Sequence, residues 1–155
     1  MSQPGLSHIQ YEPDPEHPGW HTWNVADSTR FNAAVMGKLL VRRDSDRQVR
    51  LRMFPIRHHA NLHDKLHGGV TLALIDIALF AASRIVADVD AAGSVTLELS
   101  NQFIGSGALD MPVDAVTEVL RETGRLVFLR GLVMQEDHLI ASFSGTIRKP
   151  GRPKP

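Results

Sequence analysis

Leu66-His67-Gly68-Gly69-Val70-Thr71-Leu72-Ala73-Leu74-Ile75-Asp76-Ile77-Ala78-Leu79-Phe80-Ala81-Ala82-Ser83 is the stretch whose reading decides the fold. It opens with a His-Gly-Gly turn and then becomes apolar on every side, the pattern of a helix buried all round. The rest of the chain is therefore expected to wrap about residues 69–86. Only Asp76 interrupts the apolar centre. A carboxylate there is costly to bury, whether as a charge or as an unpaired polar group. The run 70–87 approaches the length of a membrane span, but it carries Asp76, Arg84 and many small residues, so a core helix is expected.

After this helix the pattern changes to alternation. Val95, Leu97, Leu99 and Phe103 alternate with Thr96, Glu98, Ser100 and Gln102, which predicts a long strand with those two faces. Strands over 113–121, 126–135 and 139–148 follow, joined by turns at Glu122-Thr123-Gly124 and Glu136-Asp137, and make an antiparallel meander. Before the helix, 38–43 and 48–55 read as strands, since Val49, Leu51 and Met53 alternate with Arg50 and Arg52. A short amphipathic helix is expected over 28–36, with Asp27 or Ser28 as cap, Phe31, Ala34 and Val35 facing inward, and Gly37 in the turn that ends it. One central helix and long antiparallel strands define an α+β domain.

Residues 1–27 form a proline-rich arm, 28–148 the domain, and 149–155 a basic flexible tail. Trp20 and Trp23 either pin the arm to the body or line a groove. At 155 residues the chain suits one domain with a real core. Its 17 basic and 17 acidic residues balance, which argues against coating nucleic acid or an anionic membrane. There is no cysteine, so disulfide and thiolate chemistry are excluded, and a cytoplasmic location is expected. No metal is expected at His58, His59, His63 and His67: there is no His-Glu-x-x-His pattern, and Gly68-Gly69 interrupts any helix aligning His63 with His67. A Ser-His-Asp hydrolase is disfavoured by the absence of a Gly-x-Ser-x-Gly elbow.

The motif His59-Ala60-Asn61-Leu62-His63-Asp64-Lys65-Leu66-His67-Gly68-Gly69, with Asp76 nine residues after His67, resembles the hotdog-fold acyl-CoA thioesterases of the phenylacetate-pathway (PaaI-like) branch. Asp64 stands where that family usually has glycine, and Asp tolerates left-handed backbone better than most residues. The resemblance implies a sheet wrapped around the central helix and hydrolysis of an acyl-CoA thioester without a cofactor. It also implies roles: the Gly68 N–H as oxyanion hole, Asn61 and His67 shaping the site, and Asp76 as general base or nucleophile. By the same likeness Ser94 helps to hold the water. From the residues themselves, Gly69 lets a substrate approach the backbone, and Leu72, Leu79, Phe80 and Phe103 either line an acyl pocket, Leu72 and Phe80 foremost, or are core.

These chemical roles suit the residue types. Amides at a helix start are free donors aided by the helix dipole, and glycine lets a bulky acyl group come close. Helix geometry adds a constraint. Gly68 and Asp76 stand about 12 Å apart along the axis, whereas groups acting on one carbonyl must come within about 3–3.5 Å. If both act on one thioester, they belong to different chains, so a homodimer with two shared sites is expected, alone or as a dimer of dimers. Two alternatives stay open: a non-catalytic acyl-CoA-binding hotdog domain, and a hotdog enoyl-CoA hydratase, for which His59 and Asp64 have a suitable separation. Arg57, His58, His59, Arg84, Arg148, Lys149, Arg152 and Lys154 could each meet the coenzyme A phosphates, and none stands out.

Overall fold

The computed structural model describes residues 8–151; the outermost parts of the expected arm and tail lie outside the described residues. Among the described residues the strands are β1 (Ile9–Gln10), β2 (His21–Thr22), β3 (Asn24–Val25), β4 (Leu39–Arg43), β5 (Gln48–Met53), β6 (Val95–Phe103), β7 (Val113–Glu122), β8 (Leu126–Gln135) and β9 (His138–Arg148). One long helix, α1 (Gly68–Ala87), lies between β5 and β6 in the chain. Seven strands form one antiparallel sheet in the order β2-β4-β5-β7-β8-β9-β6, and β1 pairs with β3 apart from it.

The sheet presents the alternating residues Leu51, Met53, Val113, Ala115, Val127, Leu129, Val133 and Ile147 to α1, all essentially inaccessible. From the helix, Leu74, Ile75, Ala78, Leu79 and Ala82 meet them. Gly145 of β9 permits this approach, because a Cβ there would stand 2.5 Å from Leu79 Cδ1.

The helix is not buried all round. Gly69 and Leu72 are exposed and Ala73, Asp76, Phe80 and Arg84 only part-buried, which leaves an open stripe along one side. One sheet can cover only one face of a helix, and the described residues supply no second layer. The helix is long and apolar enough to cross a membrane, yet nine of its residues are buried within the chain.

The segment before β4 also departs from expectation. Residues Asn32–Met36 form one π-helical turn instead of an amphipathic α-helix. The wider winding turns Met36 inward, while Phe31 and Val35 remain 55% and 41% exposed. Asp27 does hold the entry, accepting from the Thr29 N–H at 3.0 Å, and Gly37 takes a positive φ of 71°.

The arm is anchored by both tryptophans. Trp23 is buried in the core, and its N–H donates to the Leu39 carbonyl at 2.9 Å. The Arg42 and Arg52 guanidinium groups both lie over the buried Trp20 ring, 4.6 and 4.5 Å from its centroid. Arg52 and Arg50 are held in turn by the buried Asp114 carboxylate, at 2.7 and 3.1 Å. Through β2 the arm also covers one edge of the sheet, and among the described residues β6 is left as the other, unpaired edge.

A second anchor is the buried Asp14, whose carboxylate meets Lys38 Nζ at 2.6 Å and His17 Nδ1 at 3.0 Å. The hydrogen bonds from Lys38 and then His17 hold its pKa down from 3.8 to about 2. A depressed folded-state pKa gives stability that is full above 3.8 and drains as pH falls towards about 2. Acid titration of unfolding free energy should therefore show Asp14→Asn removing part of the wild-type loss in that window, and parallel curves would refute the anchor.

Candidate active site

The open stripe of α1 carries Asp76, and Asp76 has a fixed partner: Thr96 Oγ1 donates to its Oδ1 at 2.7 Å. The strand that brings Thr96 here is bulged. Thr96 pairs with Ile147 and Glu98 with Thr146, so Leu97 is the extra residue of β6. A bulge reverses the alternation beyond it. Thr96 and Leu99 thus both face the helix, and the even split of faces expected for 95–103 is corrected. Ser94 is not the hydroxyl beside Asp76. Its Oγ donates to the Asp90 carbonyl at 2.6 Å and closes the turn before β6. Threonine at 96 is visible in the sequence, but the bulge that aims it is a property of strand pairing.

The other half of the expected site lies at the start of α1. His67 is the N-cap residue, and its Nδ1 accepts from the Gly69 N–H at 2.8 Å. A backbone N–H can only donate, so Nδ1 must carry its lone pair and the ring acts as a brace. The His67 carbonyl accepts from Val70 and Thr71. Among the described residues, no hydrogen bond takes up the Gly68 N–H, which stands free at the positive end of the helix dipole. Phe103 of β6 lies against this end: a Cβ on Gly68 would be 3.2 Å from its ring.

Asn61 shapes the preceding loop. Its Oδ1 accepts from the His63 and Lys65 N–H groups at 2.8 and 3.1 Å. Asp64 takes the left-handed conformation, φ 55°, and forms an ion pair with Arg57. His59, by contrast, is buried as a clamp: Nδ1 accepts from the Ile56 N–H, and Nε2 donates to the Val35 carbonyl at 2.6 Å. Leu72 and Phe80 flank Asp76 one turn to either side on the stripe. On β6, Asn101 has both amide atoms buried with no partner among the described residues, a feature the sequence reading did not single out.

Among the described residues, the four histidines before α1 do not converge on a metal. Asp14, Glu16 and His17 do come together, but Lys38 Nζ sits among them, 2.6 Å from Asp14 and 3.3 Å from Glu16. The site as a whole offers a hydrogen-bonded carboxylate and a separate free amide donor. Each is suited to one half of a hydrolytic attack on a carbonyl.

Residues 63–142, just over half of the chain, match the family model described as the thioesterase superfamily. The chain belongs to that superfamily, and at the level of the family it is a thioester hydrolase with the hotdog fold. No curated protein matches it. Among solved structures, it is similar to the conserved protein PA5202 from Pseudomonas aeruginosa, with 25% identity and a TM-score of 0.66 over 77% of this chain and 94% of that one. A point mutant of the phenylacetic acid degradation protein PaaI from Thermus thermophilus shares the fold at 24% identity and TM-score 0.64, over 77% of this chain and 97% of the other. So does a hypothetical thioesterase from Streptococcus pneumoniae, solved with coenzyme A, at 17% identity and TM-score 0.67, over 78% and 92%.

The placement of the two hydroxyls yields a direct contrast. In a thioester hydrolysis assay Thr96→Val should lower kcat about tenfold or more, since Asp76 loses the hydroxyl that fixes it, while Ser94→Ala should stay within about twofold. The reverse order of effects would contradict the Thr96 assignment.

Proposed function

We propose that this chain hydrolyses acyl-CoA thioesters, releasing the free acid and coenzyme A. The observation that carries the reading is the pairing of features on one helix: a free Gly68 N–H at its start and a Thr96-held Asp76 on its open stripe. In this reading the Gly68 amide stabilises the developing oxyanion, and Asp76 either activates water or attacks the carbonyl itself. His67 and Asn61 hold the donor end in shape, and Gly69, Leu72 and Phe80 lie along the substrate. The solved relative from Streptococcus pneumoniae that contains coenzyme A supports the choice of carrier.

The site is completed by a second copy of the chain. Along a helix the two groups stand about 12 Å apart, too far for one carbonyl. The free β6 edge supports this arrangement, because an unpaired edge is a template for another strand. Val95, Leu97, Phe103 and Ile104 are 40–55% exposed on and beside that edge, and Leu72 is 37% exposed on α1. Two copies joined at β6 would bring the Gly68 of one towards the Asp76 of the other.

Thiol release from a panel of short, medium, long and aryl acyl-CoAs tests the activity. Wild type should turn over at least one class, and Asp76→Ala should cut kcat by about 100-fold or more. Slow turnover across the whole panel, unaffected by the substitution, would overturn the proposal.

A further inference from the structure

The open stripe continues past Asp76. Phe80 stands one turn on and Arg84 a turn beyond it, both part-exposed. There the stripe meets a cleft of about 430 Å³ lined by Tyr11, Trp23, Arg43, Arg84, Ile85 and Asp88. Tyr11 is 45% exposed, but its ring is held in place. It stacks on His21 with centroids 4.6 Å apart and 9° between planes, and it meets Trp23 edge-on at 6.2 Å.

Two guanidinium groups share this cleft. Arg43 donates to the Ser45 and Asp46 carbonyls at 3.0 and 2.9 Å, so its guanidinium is fixed by neutral acceptors. Arg84 pairs with Asp88, whose side chain is 92% exposed. The Arg84 side chain is itself 24% exposed, and a carboxylate so open to solvent is readily exchanged for another anion.

We infer that this cleft holds the purine nucleotide end of the thioester's carrier, with Tyr11 against the base and Arg84 and Arg43 toward its phosphates. The inference rests on the acyl-CoA reading and adds a direction to it. From Asp76 the stripe runs one way to Leu72 and the other way to Arg84, so its two ends differ in chemistry. An apolar acyl group fits the Leu72 end, and a polyphosphate fits the cationic one. A simple anion would have no use for an oriented aromatic ring, and an apolar tail none for two guanidinium groups. Arg84 lies about 12 Å beyond Asp76, which leaves room for the carrier's flexible arm between thioester and phosphates. Tyr11, Trp23 and Arg43 fall outside the residues that match the superfamily model and Arg84, Ile85 and Asp88 fall within them, so the cleft lies between the matched helix and the segments that precede it. The basic cleft formed by Arg125, Arg148 and Lys149 has cations but no aromatic residue, and its Lys149 is paired with Glu122.

The test compares kcat/KM for an acyl-CoA with kcat/KM for the same acyl group on N-acetylcysteamine, which lacks the nucleotide. Arg84→Gln and Tyr11→Ala should each lower the ratio of the first to the second about tenfold, and Arg125→Gln should leave it at the wild-type value. Calorimetry with adenosine 3′,5′-bisphosphate should show binding to wild type that weakens about tenfold in Arg84→Gln. No nucleotide binding, a ratio indifferent to Arg84 and Tyr11, or a loss confined to Arg125→Gln would overturn the inference. A wild-type chain that cleaves neither substrate yet binds the nucleotide through Arg84 would refute the hydrolase reading and keep the cleft. One that cleaves acyl-CoA regardless of Arg84 would keep the hydrolase reading and refute the cleft.

Discussion

The rise of an α-helix, about 1.5 Å per residue, governs this molecule. It separates the free Gly68 N–H from the Asp76 carboxylate by more than two turns, on a rod that side chains cannot fold back upon. Everything near the helix works around that separation. His67 spends its ring nitrogen and its carbonyl on the amides that follow Gly68, so the one donor left over is the one at the tip. Thr96 fixes the carboxylate at the other point. The two groups become useful together only if another helix start is brought to Asp76.

The two edges of the sheet differ in a way that suits the proposed pairing of two copies. At one edge the arm adds β2, and the buried Trp20 and Trp23 tie it down. At the other, β6 keeps backbone groups unpaired among the described residues and exposed apolar side chains. With one edge closed, the remaining one is where the proposed second copy would pair. The stripe left open on α1 is then a surface that a single layer of strands cannot cover.

Much of this was legible in the residues. The apolar run from Val70 marked the helix, the alternations marked the strands, and Gly37 and Asp64 sit where positive φ is required. The His-Gly-Gly spacing with Asp76 led to the superfamily that the comparisons establish. What escaped were effects of pairing and packing. A register shift at Leu97 put Thr96, rather than Ser94, beside Asp76. The π turn over Asn32–Met36 exchanged Phe31 and Val35 for Met36 in the core, since an α-helical period no longer applied. The same composition that made α1 look buried all round is also what the helix needs for the proposed second chain to cover its last face.

The claim at the centre of this account is that one site takes Asp76 from one chain and Gly68 from another. Gly68→Pro removes the donor N–H at the first helical position, where proline is tolerated, and Asp76→Ala removes the carboxylate. Each variant alone should be inactive. In purified dimers that carry one chain of each kind, thioester hydrolysis should recover to about half the wild-type rate, because one of the two shared sites is intact. Mixed dimers of verified composition that stay as inactive as their parents would contradict the shared site.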